Sequence, residues 1–188
     1  MNEKTKIHFI DCGGNIGQSV AYAIEKYGDR ELKIDTFEPY DKNYEVIEKT
    51  YFADDRVVIH RNAVWIEEVI KRFYLQSWGA RTASSLHKGK RSTSVNEYVD
   101  VGCIDLCEWI TNSVSSDDYN ILKIDVEGSE YAILEKIMNE GLDSRIDEWL
   151  IEWTPKAKLP NALESYMNKI QKRFLDKKYN YTDWGFHV

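Results

Sequence analysis

No stretch of the chain restricts its fold more than Phe9-Ile10-Asp11-Cys12-Gly13-Gly14-Asn15-Ile16-Gly17. The short apolar run over residues 7–10 has the length and composition of a buried strand, and an acidic residue and a glycine pair close it. Ile16, Val20, Ala23, Ile24 and Tyr27 then recur at helical spacing as far as Gly28. Strand, glycine turn and helix in that order open a βαβ unit, whose strand needs a parallel neighbour and whose helix must cover a sheet face.

The rest of the chain repeats the unit. Strands are predicted at residues 32–37, 57–60, 120–126 and 146–153, helices at 41–50, 106–113, 129–139 and 160–175, and a last extended segment from 179. Segment 62–101 fits less well. Val64-Trp65-Ile66 and residues 70–75 suit one amphipathic helix or, as we prefer, two strands of a hairpin, and residues 77–94 read as a long loop, a candidate lid. The alternation predicts an α/β fold: one Rossmann-like domain over residues 1–188, with a mostly parallel central sheet and helices on both faces.

Charge and cysteine content narrow the function. A formal net charge of −7 disfavours a nucleic-acid partner, since binding to polyphosphates rests on Lys and Arg that displace counterions. The one basic run, Lys88-Gly89-Lys90-Arg91, reads as a solvated loop. Cys12, Cys103 and Cys107 are odd in number and lack paired C-x-x-C spacing, so neither a disulfide framework nor a metal site is expected, and a reducing compartment, the cytoplasm, is. No run of about 18 apolar residues is present, and no membrane span is expected.

In open parallel sheets, ligands collect beyond the carboxyl ends of the strands, where strand order reverses. Glycines at 13, 14 and 17 allow a tight turn that brings main-chain amides close to a ligand. Their spacing departs from G-x-G-x-x-G, which disfavours a pyrophosphate cofactor and with it a nucleotide-binding oxidoreductase. Asp11 would repel a phosphate but receive the amino group of a zwitterion such as S-adenosylmethionine. Glu38 closes the second strand about twenty residues further on, where an acid can accept both hydroxyls of a ribose; the alternative is a charge near a helix N-terminus. Asn62 and Ala63 hold the matching position after the third strand for an adenine contact. In residues 121–126, alternation puts Lys123 and Asp125 on one face, where buried charges must be paired with each other or bound to something else.

Together with Phe37-Glu38-Pro39, Asn62-Ala63, Ala83-Ser84-Ser85-Leu86 and Leu122-Lys123-Ile124-Asp125-Val126-Glu127-Gly128-Ser129-Glu130, the glycine turn resembles the FkbM family of methyltransferases. The resemblance implies a class I methyltransferase fold with S-adenosyl-L-methionine as cofactor. Asp11, Gly13, Asn15 and Gly17 would surround its methionine part and Glu38 its ribose, with Gly14, Asn62, Ala63 and Ser85 in the same cofactor set. Family members typically methylate oxygen, so the expected acceptor is a hydroxyl of a sugar, a deoxyhexose such as rhamnose or fucose in a glycan. The chain starts almost at the first strand, without the helical segment that precedes it in the family. That departure suggests a module working beside a larger glycan-building enzyme, such as a glycosyltransferase.

Methyl transfer to oxygen asks the protein mainly to hold the acceptor and take its proton. Asp125 is the candidate base, with Glu127 and Glu152 as competitors and His60 or His87 as outside alternatives, while Lys123 orients the acceptor or tunes Asp125. Glu152, Trp153 and His87 are candidate acceptor contacts, with Trp153 as a sugar platform. A divalent cation on Asp125, Glu127 and Glu130 is the alternative to a metal-free site. Other readings are methylation of a small metabolite or protein side chain, and an inactive nucleotide-binding module.

Overall fold

The computed structural model describes residues 4, 6–77 and 83–186. β1 (Lys6–Cys12) leads into α1 (Gln18–Tyr27), β2 (Glu31–Phe37) into α2 (Asp41–Tyr51), and β3 (Val57–His60) follows. Next come β4 (Ala63–Trp65), β5 (Val69–Gln76), β6 (Thr93–Asp105), α3 (Leu106–Ser113), β7 (Tyr119–Ile124), α4 (Glu130–Glu140), β8 (Glu148–Ile151), α5 (Glu164–Asp176) and β9 (Tyr181–Asp183). A six-stranded sheet has the order β3-β2-β1-β7-β8-β9, with every neighbouring pair parallel. The order reverses between β1 and β7, so a ligand crevice opens beyond Cys12 and Ile124.

Burial follows the two-residue period of the strands. Ile7, Phe9, Leu32, Ile34 and Ile121 pack with Val20, Ala23 and Tyr27 of α1. Ile10, Cys12, Phe37, Leu122, Ile124 and Trp149 pack against α3, α4 and α5 on the other face. Central parallel strands are covered on both faces, which is why β1 and β7 are buried from their second residue onward and their polar members, such as Asp11 and Lys123, must be paired. The expected α/β architecture is therefore present. Asp105 caps α3 by accepting from Cys107 N and Glu108 N.

Segment 62–101 differs from expectation. β4 and β5 are strands but form no hairpin, because β6 lies between them, parallel to β4 and antiparallel to β5. β6 went unrecognised because Asn96, Glu97, Asp100 and Gly102 are weak strand formers; their exposure makes them tolerable there. Of the loop expected at 77–94, residues 78–82 lie outside the described residues and Thr93 and Ser94 are strand. Between them, Ser85 exchanges main-chain hydrogen bonds with Tyr74 (2.8 and 2.9 Å), and Arg91 N donates to Lys158 O at 2.8 Å. The solvated reading of the basic run fails for Lys90, which is 1% exposed. Its ammonium pairs with Glu127 and donates to Ala83 O at 2.9 Å, so it is a buried strut; Lys88 and Arg91 are exposed. Lys136 of α4 ties this second sheet to the first by donating to Ile66 O at 2.7 Å and pairing with Asp105. All three cysteines are buried free thiols. Among the described residues no helix is long and apolar enough to cross a membrane.

Candidate active site

Asp11 is opposite Thr36 on one side and Lys123 on the other in the strand register, so three polar side chains leave the sheet together at its carboxyl edge. Asp11 Oδ2 accepts from Ser19 Oγ (2.6 Å) and Thr36 Oγ1 (2.7 Å), and Oδ1 lies 3.0 Å from Lys123 Nζ. Lys123 Nζ also donates to Gly13 O at 2.6 Å and sits 3.6 Å from Asp125 Oδ2. Burial works against the ammonium, but Asp11 and Asp125 outweigh it and hold Lys123 above the ordinary lysine value. Both Asp11 and Lys123 are buried, so this ion-pair hub lies beneath the crevice and braces what lines it.

The glycine turn is pressed onto the hub. At Gly13 φ is +95°, and a Cβ there would stand 2.0 Å from Asp125 O, so only glycine fits. The amides of Gly13 and Gly14 donate to Phe37 O at 3.1 and 2.9 Å, fastening the turn to the end of β2 instead of presenting those groups to a ligand. Asn15 N donates to Glu38 Oε2 at 2.9 Å, and Tyr40 N to Glu38 Oε1 at 2.8 Å. Burial pushes the Glu38 carboxyl up to about 7, against the pull of these two amides.

Beyond this edge is a cleft of about 610 Å³, open to solvent. Gly13, Asn15, Glu38 and Asn43 line it together with Phe73, Ser84, Leu86, Asp125, Glu127 and Ser129 and with the apolar Phe37, Ala63 and Val64. Of the residues singled out in the sequence, Gly13, Asn15, Glu38, Ala63, Asp125 and Glu127 thus meet on one surface. Gly14 and Gly17 shape the turn without lining the cleft, and Asp11 and Lys123 stay below it. Asn62 turns away to donate to Gly102 O at 3.4 Å. Ser85 is buried, donating to Glu127 O at 2.6 Å and accepting from His87 N at 3.0 Å, while its neighbours Ser84 and Leu86 reach the cleft.

The expected acceptor contacts are more dispersed. Trp153 Nε1 donates to Tyr181 OH at 2.8 Å, and its ring packs on Tyr131 and Phe174 in the core, away from the cleft wall. Glu152 also stands outside the lining, yet burial together with Asp125 and Glu127 pushes its carboxyl up to about 7. His87 packs edge-on against Trp65 (6.1 Å between centroids), and burial lowers it below 6.5, leaving a neutral imidazole at pH 7. Glu130 turns inward to accept from Gly128 N (2.7 Å) and Thr154 N (2.8 Å), which takes it away from a cation shared with Asp125 and Glu127. Asn43, Phe73 and Ser129 were missed as site residues. Asn43 carried a signal, a polar side chain on the face of α2 that also buries Ile47; Phe73 lay in the ambiguous segment and carried none.

Burial is the first cause that pushes three carboxyls, those of buried Glu38 and Glu130 and of half-buried Glu152, up from 4.5 to about 7. The folded protein therefore holds protons that the unfolded chain releases, and stability falls as pH rises from about 4.5 to about 7. His87, lowered by burial, acts in the opposite sense below 6.5 but is one group against three. We expect the ligand-free protein to melt at least ~5 °C lower at pH 8 than at pH 5.5. Scanning calorimetry across that range checks this, and a flat or rising profile would refute it.

Residues 11–182 match a family model described as the methyltransferase FkbM domain. Among solved structures, the crystal structure of methyltransferase FkbM from Methylobacillus flagellatus KT aligns with a TM-score of 0.55 at 15% identity, over 92% of this chain and 38% of that one. At that identity the likeness shows a shared fold, and the chain spans well under half the length of that structure. No curated protein matches the sequence.

Proposed function

The chain belongs to the FkbM methyltransferase family, and from that premise we propose that it transfers the methyl group of S-adenosylmethionine to a sugar hydroxyl, on a deoxyhexose such as rhamnose or fucose within a glycan. Glu38 carries the cofactor half of this reading. Each oxygen of its buried carboxylate takes a single main-chain amide and keeps an acceptor site for one more donor, which suits the two hydroxyls of a ribose. Among the described residues no Lys, Arg or His lines the cleft, so a pyrophosphate would lack partners there, whereas the Asp125 carboxylate suits a positively charged sulfonium. Gly13, Asn15, Glu38 and Asn43 would hold the cofactor, over the apolar strip of Phe37, Ala63 and Val64. When bound, it supplies an electrophilic methyl group.

Asp125 lines the cleft with its carboxylate partly exposed and fixed from behind by Lys123, and its role is to take the proton of the acceptor hydroxyl. Glu127 is paired with Lys90 and forms wall instead of base. Phe73 and Leu86 offer an apolar surface that suits the methyl group of a deoxyhexose. Residues 1–188 act as one domain in this reading, supported by the Lys136 bonds between the sheets. The setting is the cytoplasm, beside a glycosyltransferase.

The test is transfer of tritiated methyl from S-adenosylmethionine to nitrophenyl rhamnosides and fucosides. Labelled glycoside is expected, with kcat lowered about 100-fold in Asp125→Asn. Preferential labelling of peptides or small metabolites would reassign the acceptor, and an unchanged Asp125→Asn would remove the base.

A further inference from the structure

Ser129 stands at the head of α4, the place where a serine normally accepts a hydrogen bond from the first turn of the helix. Here it makes no such bond, because its backbone is already helical (φ −80°, ψ −14°) and its side chain cannot reach back over the turn. The carboxylate of Glu130 instead satisfies Gly128 N and Thr154 N. Ser129 is 1% exposed, and its Oγ has no hydrogen-bond partner among the described residues. A buried hydroxyl with nothing to bond destabilises the fold, and alanine at this place would remove that penalty at no loss of contact. Ser129 is nevertheless one of the residues that line the cleft, as are Asp125 and Glu127.

We infer that Ser129 Oγ is a substrate-binding group whose partner is the hydroxyl oxygen that receives the methyl, an assignment that rests on the function proposed above. The reading above gives the cofactor to the glycine turn, Glu38 and Asn43, whereas Ser129 comes four residues after the base in the segment that follows β7. An acceptor hydroxyl has one proton and two lone pairs. Asp125 takes the proton, one lone pair faces the methyl carbon, and the other accepts the Ser129 O–H, which fixes the direction of attack. Transfer forms the oxygen–carbon bond, breaks the carbon–sulfur bond to leave a neutral thioether, and leaves the proton on Asp125. The carboxylate of Asp125 favours an uncharged alcohol over a phosphorylated one as the group placed there.

Two measurements decide the matter without knowledge of the acceptor. In Ser129→Ala without ligand, the melting temperature is expected to rise by about 2–4 °C, since the penalty of the orphaned hydroxyl is gone, while the Kd for S-adenosylhomocysteine stays within twofold of the wild type. In a high-resolution crystal structure of the complex with S-adenosylhomocysteine, a solvent oxygen is expected within hydrogen-bond distance of both Ser129 Oγ and the Asp125 carboxylate, in the place of the acceptor hydroxyl. A fall in melting temperature would show an internal partner and overturn the assignment. So would direct contact between Ser129 Oγ and S-adenosylhomocysteine, an affinity loss beyond twofold, or a complex without the shared solvent. If the wild type bound no S-adenosylhomocysteine, the cofactor reading would fall by itself, and the melting comparison would still decide whether the hydroxyl is unpaired.

Discussion

Replacing Glu38 by glutamine is expected to weaken S-adenosylhomocysteine binding by about 100-fold. The carboxylate has four acceptor sites, two of them taken by Asn15 N and Tyr40 N. A glutamine amide keeps only one acceptor oxygen, so its NH2 must point at a main-chain N–H or at a ribose hydroxyl that needs an acceptor. Hydrogen bonds to a charged group are worth about 1.5–3 kcal/mol each, and weakening two of them by a total of about 3 kcal/mol is about 100-fold in Kd. The pH dependence is a second signature. Burial holds the free Glu38 near 7, while the ribose hydroxyls need the ionised form, so binding expels a proton. Affinity should therefore fall about tenfold as pH drops from 8 to 6 in the wild type, with no such slope from this group in Glu38→Gln. Calorimetric titration at both pH values, with NAD as a control ligand, measures all of this. A glutamine variant within threefold of wild type at pH 8 would show that position 38 does not hold the ribose.

That Glu38 was legible as a residue of the cleft, and Asp11 as a residue of the same edge, has one cause: a parallel sheet puts the residue that ends each strand on the same rim. Spacing alone therefore placed Glu38, Ala63 and Asp125 around one cleft before any coordinate was known. It did not separate residues that line the cleft from those one layer beneath. Asp11 and Lys123 are both charged and both at strand ends, but the two-residue period turns them under the glycine turn, where they bind each other. The same limit explains Ser85, whose motif reaches the cleft through Ser84 and Leu86 on either side. Lys90 and β6 were illegible for a different reason. Their burial depends on partners far along the chain, Glu127 for one and the two flanking strands for the other, and local composition argued for solvent in both cases. Trp153 shows the converse, since an aromatic beside a carboxylate looked like a sugar platform, but its partly buried ring is held against Tyr131, Phe174 and Tyr181 at the edge of the core, outside the cleft lining.

The hub beneath the turn yields the largest effect on stability. Removing one member of a buried ion pair leaves the other charge uncompensated, at a cost of about 3–5 kcal/mol, far more than the pair itself contributes over an apolar replacement. In Lys123→Met the Asp11 carboxylate, which is 0% exposed, would retain only the hydroxyls of Ser19 and Thr36, and Gly13 O would lose its donor. The expected result is a melting temperature lower by about 6–20 °C, with a loss of S-adenosylhomocysteine affinity because the glycine turn is no longer braced. Adding Asp11→Asn removes the stranded charge, so the two substitutions together should cost less than the sum of their separate costs, by a coupling of about 1–3 kcal/mol in a double-mutant cycle. Urea unfolding of the four proteins gives the coupling directly. If Lys123→Met lost less than about 1 kcal/mol, or if the two substitutions were additive, the ammonium would not be what holds the turn against β7. The lysine would then have to be explained by contact with the ligand itself, a role its position below the cleft does not favour.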